Sequence, residues 1–406
     1  MLIVQKYGGS SVADTEGVYR VARKILNTYK AGNSVVVVVS AQGKTTDFLI
    51  KKSAEIAEEI NKRELDVLLA TGEQQSMALL SMAIKELGGN AVSLTGNQAG
   101  IYTDDNYGSA RIKHINPKRI KKELENNRIV IVAGFQGINE IGDITTLGRG
   151  GSDTTAVALA AALKADRCDI YSDVDGIYTA DPRIVKNASK LTETTYDEML
   201  ELASLGAKVL HNRSVEMAKR YKVKLMSGSS FTDSIGTYVK EKCDVEDLYV
   251  RGVAGDKDVA IITVTEMQDK PGNIYKIFDI LAKEKISVDI IAQSNNKMNK
   301  TDVSFTVKRT ELKKTIKLIT ENLERVEAGG VVFADNCAKV SIVGAGMVNN
   351  PGVAATMFEA MYDENIKIHL ISTSEIKISL VIDEDELETA LNAVHRKFKL
   401  HLINEE

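Results

Sequence analysis

The sequence is poor in the features that mark several large protein classes. It holds three cysteines in 406 residues, Cys168, Cys243 and Cys337, none of them spaced as CxxC. That fits neither a disulfide framework nor a zinc site, and isolated thiols in a reducing compartment are expected. The five histidines, His114, His211, His369, His395 and His401, are scattered without metal-ligand spacing. No H-R-D, D-F-G or G-x-S-x-G string occurs, so protein kinase and hydrolase readings lose their support. No apolar run approaches the ~20 residues of a membrane span, and the start, Met1 to Lys6, lacks a basic stretch followed by an apolar one. A cytoplasmic location is expected. The net charge is -4 with no Lys/Arg block, which leaves no electrostatic footprint for nucleic acid or an anionic membrane.

What is present is ordinary for a globular chain: 44% hydrophobic and 27% charged residues, enough for normal cores. The length exceeds what one core usually organises, so two or three domains are expected. Up to about residue 235, short β-branched runs alternate with amphipathic stretches, the pattern of α/β layering. Val35 to Val39 and Ile129 to Val132 are apolar on consecutive residues, as in strands of a mostly parallel sheet covered on both faces. Residues 154–163, Thr-Thr-Ala-Val-Ala-Leu-Ala-Ala-Ala-Leu, predict a buried helix.

Beyond residue 250 the chain repeats with a period of 80 residues. Pro271-Gly272 pairs with Pro351-Gly352, Phe278 with Phe358, Ile286 with Ile366, Val288 with Ile368, and Ile291 with Ile371. Each copy reads strand, Pro-Gly turn, helix, strand, polar segment, strand, which predicts two ferredoxin-like modules. The expected boundaries are 1–240, 256–330 and 331–406.

Three segments carry chemistry. Lys6-Tyr7-Gly8-Gly9-Ser10-Ser11 ends the first strand, where glycines admit close approach of backbone N–H groups to phosphate and a lysine adds a mobile positive charge. Alone, the string also fits a tight turn. Gly148-Arg149-Gly150-Gly151-Ser152-Asp153 stands before a helix whose N-terminus offers free N–H groups to an anion, with Arg149 able to grip a carboxylate bidentately. Ser172 to Arg183 packs carboxylates, an aromatic and an arginine behind a short strand, a set that suits a nucleotide. Lookalikes fail: Ser40 to Thr46 has Val38 where a P-loop needs glycine. The EF-hand reading of Asp173 to Gly176 fails because the glycine is misplaced and position twelve is Ile184 rather than glutamate. Val343 to Asn349 lacks the third glycine of a dinucleotide fingerprint.

These segments, with Thr71-Gly72-Glu73 and Ala207-Lys208-Val209-Leu210-His211, resemble aspartate kinases, and the repeats resemble that family's paired ACT modules, notably Ile371 to Ser379. The family's common Lys-Phe-Gly-Gly-Thr-Ser reads Lys-Tyr-Gly-Gly-Ser-Ser here. The resemblance implies an αβα sandwich of the amino acid kinase fold followed by two ferredoxin-like (ACT) modules. It also implies ATP-dependent phosphorylation of L-aspartate with Lys6 and Asp153 catalytic. ATP is assigned to Lys6, Tyr7, Gly8, Gly9, Ser172, Asp173, Tyr178, Arg183, Lys208 and Val209, and Mg²⁺ to the ATP phosphates and water rather than to protein ligands. Aspartate is assigned to Ser40, Thr46, Glu73, Arg149, Gly150, Gly151 and Ser152. An effector amino acid, lysine or threonine or both, is assigned to Asp269, Ser287, Val288, Asp289, Gln293, Val353, Ala354, Lys367, Ile368, Ser374 and Glu375. A homodimer or homotetramer through the ACT modules is expected, and the alternative is modules that only dimerise. Two rivals stay open: an amino acid kinase for glutamate, acetylglutamate, carbamate or a nucleoside monophosphate, and a catalytically silent amino-acid sensor.

Overall fold

The computed structural model describes residues 1–204, 210–243, 249–296 and 299–403. Its contacts divide the chain into two units, Met1–Ile177 with Lys190–Asp244, and Tyr178–Ser189 with Val245–Glu406.

The first unit opens with β1 (Leu2–Tyr7), α1 (Thr15–Lys30), β2 (Ser34–Val39), α2 (Thr45–Ile56), α3 (Lys62–Glu86) and β3 (Ala91–Leu94). An excursion through β4 (Ile101–Thr103), β5 (Ile112–Ile115) and α4 (Lys118–Glu125) precedes β6 (Ile129–Ala133). Then follow β7 (Gln136–Ile138), β8 (Ile144–Thr146), α5 (Gly151–Leu163) and β9 (Arg167–Ser172). The unit closes with β10 (Glu193–Thr195), α6 (Tyr196–Ser204), α7 (Asn212–Tyr221), β11 (Leu225–Ser229) and β12 (Thr237–Lys240).

Eight strands form the main sheet in the order β10-β12-β11-β9-β1-β2-β6-β3, parallel throughout except for β11 against β12. The reason is visible in β2, whose five valines Val35 to Val39 are all fully buried. A strand apolar on both sides is stable only between two helical layers. Tyr7, Val35, Val37, Val39, Ile129 and Ile131 share one core with α1 and α3. On the opposite face α5 packs against β1, β2 and β9, and its run of alanines lets the helix axis approach the sheet closely. The expected αβα sandwich is the fold. A second sheet, β5-β4-β7-β8, stands apart from the main one.

The second unit contains β13 (Gly252–Gln268), α8 (Asn273–Lys283), β14 (Ile291–Asn296), β15 (Lys300–Val307), α9 (Leu312–Glu321) and α10 (Leu323–Val326). It continues with β16 (Gly330–Val343), α11 (Val353–Asp363), β17 (Leu370–Thr373), β18 (Lys377–Asp383) and α12 (Leu387–Lys397). The 80-residue repeat is structural: α8 and α11 are N-capped by Gly272 and Gly352 at φ +98° and +103°, a conformation that a side chain would strain. Each repeat adds a final helix, α9 or α12, to the pattern read from the sequence. Each module has its own core, one around Ile277, Phe305 and Ile319 and one around Met357, Leu380 and Val394. The modules share one six-stranded sheet, β14-β15-β13-β16-β18-β17, joined where the long strands β13 and β16 run antiparallel.

Residues 178–189 belong to this second unit. Ala180 and Val185 lie in the core around Met357 and Val394, the Val253 N–H donates to the Thr179 carbonyl at 2.7 Å, and Thr179 Oγ1 is 2.9 Å from His395 Nε2.

Candidate active site

In a parallel sheet the ligand-facing edge is at the strand C-termini, and several of the residues singled out from sequence lie in the loops and helix starts that follow them. β1 runs between β2 and β9, so the loop Gly8-Gly9 leaves the middle of the sheet. Lys6, one residue before the end of β1, points to the α5 side, and its Nζ meets Asp153 Oδ1 at 2.7 Å with both side chains seven-eighths buried. A Cβ on Gly8 would stand 3.5 Å from that ammonium, and one on Gly9 would stand 2.6 Å from the Ala41 carbonyl oxygen. Glycine at position 9 is therefore a packing requirement: the Gly43 N–H also donates to the Gly9 carbonyl at 3.0 Å, tying the loops after β1 and β2 together.

Tyr7 alternates to the other face. Its ring is fully buried, stacked on Tyr171 with centroids 5.0 Å apart, and burial raises its pKa well above the usual phenol value. Only its backbone reaches the loop, where its carbonyl accepts from the Ser40 N–H at 3.1 Å.

Glu73 lies on α3 and is buried. Its Oε1 accepts from the Ala41 N–H at 3.1 Å, while Oε2 is buried with no hydrogen-bond partner among the described residues. Burial pushes its pKa up to about 7, against the Ala41 hydrogen bond that pulls it down. Gly72 makes this placement possible, because a Cβ there would lie 2.8 Å from the Ala41 Cβ. Thr46 is in the first turn of α2, immediately beyond the same loop.

Arg149 is exposed between Gly148 and Gly150, at φ +76° and +68°, both left-handed. Gly150 is doubly required, since a Cβ there would overlap the His211 ring at 2.2 Å. Gly151, Ser152 and Asp153 form the first turn of α5; the Gly151 N–H donates to the Gly148 carbonyl at 3.0 Å, and the amides of Ser152 and Asp153 follow it at the helix start that carries the Lys6 partner. Ser152 closes against the end of β6, where a Cβ on Gly134 would lie 2.8 Å from its Oγ.

Ser172 ends β9, its Oγ accepting from the Val174 N–H at 3.2 Å, and Asp173 beside it is exposed. Tyr178 and Arg183 are carried by the second unit. Arg183 is spent there on Asp181, Nη2 to Oδ2 at 2.6 Å and Nε to Oδ1 at 2.9 Å. Lys208 and Val209 lie outside the described residues. The first unit thus brings together Lys6, Gly8, Gly9, Ser40, Thr46, Glu73, Arg149 to Asp153, Ser172 and Asp173.

The effector assignments fall in two places of the second unit. Asp269 precedes the first Pro-Gly turn, Ser287, Val288 and Asp289 lie between α8 and β14, and Gln293 is exposed on β14. Asp289 is ion-paired with Lys339. Val353 and Ala354 begin α11, Lys367 and Ile368 precede β17, and Ser374 and Glu375 make the turn into β18, where the Ser374 N–H donates to the Lys377 carbonyl at 2.7 Å.

Sequence reasoning missed the side chains that hold the Arg149 loop. Asp66, fully buried on α3, accepts from the Thr146 N–H at 2.8 Å and Oγ1 at 2.7 Å, and from the Gly108 N–H at 2.9 Å. Arg213 on α7 donates to the carbonyls of Leu147 and Ala110, each at 2.8 Å. A lone Asp within a helical pattern and an Arg at a helix start give no sequence signal for such roles.

A lysine held by an aspartate at the mouth of a parallel sheet, with glycine loops and a helix start beside it, suits transfer of a phosphoryl group by charge neutralisation. Comparison with known proteins agrees. The family model for the amino acid kinase family matches residues 1–226, and that for the ACT domain matches 262–323 and 340–398. The aspartokinase of Geobacillus stearothermophilus is 51% identical over 400 residues, 98% of this chain and 97% of its own. E. coli aspartokinase III in complex with aspartate and ADP is 26% identical, with a TM-score of 0.79 over 98% of this chain and 99% of that one. In complex with lysine and aspartate the E. coli enzyme gives 0.78 at the same identity and coverage. With the catalytic fold, both ACT modules and near-complete coverage of these relatives in place, the chain belongs to the amino acid kinase family, among its aspartokinases.

Proposed function

We propose that this protein transfers the γ-phosphoryl group of ATP to the side-chain carboxylate of L-aspartate. The product is 4-phospho-L-aspartate, made in the first step of lysine, threonine and methionine synthesis and controlled by an end-product amino acid on the ACT modules. The observation that carries the reading is Lys6 Nζ fixed 2.7 Å from Asp153 Oδ1 at the C-terminal edge of the sheet.

The nucleophile needs no base, because a β-carboxylate with a pKa of about 3.9 is already ionised at neutral pH. The obstacle is repulsion between two anions. Lys6 supplies the charge that follows the transferring group, and Asp153 holds its ammonium against the α5 start. Gly9 offers its N–H to the phosphates, while the Gly8 N–H is held by the Tyr171 carbonyl at 3.2 Å, and Ser172 and Asp173 border the nucleotide. Arg149 takes the α-carboxylate with a planar fork, supported by Ser40, Thr46 and the turn Gly150 to Ser152. Glu73 receives the ammonium: its buried, unpartnered Oε2 is the kind of atom a cation completes.

Asp173, exposed just after β9, with Asp153 already engaged by Lys6, fits a magnesium ion carried by ATP phosphates and water. Such an ion neutralises phosphate charge when bound. Assembly through the ACT modules as a dimer or tetramer, and a cytoplasmic location, belong to the same proposal; no helix among the described residues is long and apolar enough to cross a membrane.

The test is ADP release from Mg-ATP with aspartate, glutamate or no acceptor. Turnover confined to aspartate supports the proposal. Turnover with glutamate instead supports a different amino acid kinase, and none with either supports a silent sensor.

A further inference from the structure

Two segments converge on one side chain behind the Arg149 loop. Nη1 of Arg213 donates to the Leu147 carbonyl and Nη2 to the Ala110 carbonyl, both at 2.8 Å. Leu147 and Ala110 are buried, at 2% and 0% exposure, so neither carbonyl has water as an easy substitute partner. Only a planar, two-pronged donor satisfies both at once; a lysine ammonium lacks that geometry.

What this clamp restrains is specific. Leu147 is followed by Gly148, Arg149 and Gly150, and both glycines are left-handed, so the arginine stands between two positions that only glycine adopts without strain. The preceding residue, Thr146, is fixed by Asp66 and by the Ala110 N–H, which donates to its carbonyl at 2.8 Å. The Leu147 N–H donates to the Phe135 carbonyl at 2.9 Å. The Leu147 carbonyl is the last tie before the glycine pair, and Arg213 makes it. From the same helix start, His211 packs against Gly150 beyond the arginine.

We propose that Arg213 is a positioning residue for aspartate binding. It holds the loop so that Arg149 meets the substrate α-carboxylate without first losing loop freedom, a cost that otherwise falls on binding. The inference rests on the reading of Arg149 as the carboxylate ligand. A purely structural role, fastening α7 to the β4-β8 region, would lower stability without singling out one substrate.

The experiment compares steady-state kinetics of the full chain with R213M, R213K and R149A, with melting temperatures measured alongside. R213M is expected to raise KM for aspartate about ten-fold or more while KM for ATP stays within about two-fold, the loss associated with leaving buried carbonyls unpaired. R213K, which keeps the charge and one donor, is expected to fall between R213M and the parent. A lower melting temperature with unchanged KM for aspartate, or an equal rise in both KM values, overturns the proposal. If R213M does not fold, R213K alone decides: a selective rise supports the inference and none overturns it. R149A separates the two readings. If R149A weakens aspartate binding and the Arg213 variants do not, only this inference falls; if R149A leaves aspartate binding intact, the reading of the loop falls and the inference with it.

Discussion

Lys6 and Asp153 form a mostly buried ion pair: their charged atoms are 2.7 Å apart and their side chains expose only 12% and 13% of their surface. In such a partly dry site the ammonium is worth more to a developing phosphoryl charge than it would be in water, and losing either partner leaves the other charge uncompensated. Lys6→Met is expected to lower kcat by roughly 10²–10³, the scale of removing one preorganised transition-state donor. Asp153→Asn is expected to lower kcat less, because it displaces the ammonium without removing it. The double variant is expected to match the lysine variant closely, since paired residues are not additive. Multiplicative losses in kcat would show that the two act independently.

Glu73 gives a pH dependence. Its substrate-free pKa of about 7 lies above the free-carboxyl value of 4.5, so the folded protein favours the neutral form. The group's contribution to stability is therefore complete below pH 4.5 and lost as pH rises through about 7. Glu73→Gln keeps the neutral shape and is expected to be more stable than the parent at pH 8, by about 2 kcal/mol. An arriving ammonium reverses the preference, so KM for aspartate is expected to fall between pH 6 and pH 8 in the parent and to stay flat and high in the variant. Kinetics and melting curves over that range check both; a parent KM that ignores pH contradicts the assignment of the ammonium to Glu73.

Gly150 carries two separable constraints, its φ of +68° and the 2.2 Å approach of the His211 ring to a would-be Cβ. Gly150→Ala is expected to destabilise by roughly 1–3 kcal/mol and to raise KM for aspartate. Adding His211→Gly removes both the ring at 2.2 Å and the Cβ at 2.6 Å but not the backbone strain, so it is expected to restore the loss only in part. Full restoration would assign the whole cost to the overlap; no restoration would assign it to the backbone.

In the second unit His395 is buried, and desolvation, with His401 nearby, lowers its pKa to about 4. Relative to an unfolded value near 6.5, the neutral form is favoured on folding, so its contribution is complete above pH 6.5 and lost as pH falls toward 4. Melting at pH 5 against pH 7 is expected to show an acid loss of about 1 kcal/mol that His395→Gln reduces. Equal acid sensitivity in parent and variant would place the titration elsewhere.

The sequence disclosed what depends on local pattern. The valines of β2 declared a doubly covered strand, the alanines of α5 a buried helix, and the 80-residue echo of Pro271-Gly272 in Pro351-Gly352 a pair of modules. The loop segments stood out because glycines and charged residues cluster directly after strands and before a helix, a local pattern. Long-range relations were hidden. Nothing in Tyr7 shows that its ring stacks on Tyr171, since strand alternation decides that only once the faces of the sheet are known. Asp66 and Arg213 act on carbonyls and amides that become neighbours only in the fold. Tyr178 to Arg183 read as part of the strand-end motif, yet Ala180, with Val185 just beyond, finds its apolar partners in the core around Met357 and Val394.

The most direct measurement is the acyl phosphate itself. Purified protein with Mg-ATP, aspartate and hydroxylamine should form aspartyl hydroxamate in step with ADP, and lysine or threonine, singly or together, should suppress it. Hydroxamate formation that depends on aspartate, vanishes in Lys6→Met and is inhibited by one of these amino acids is the predicted result. ADP released without hydroxamate, or no turnover at high concentrations of both substrates, would contradict the account.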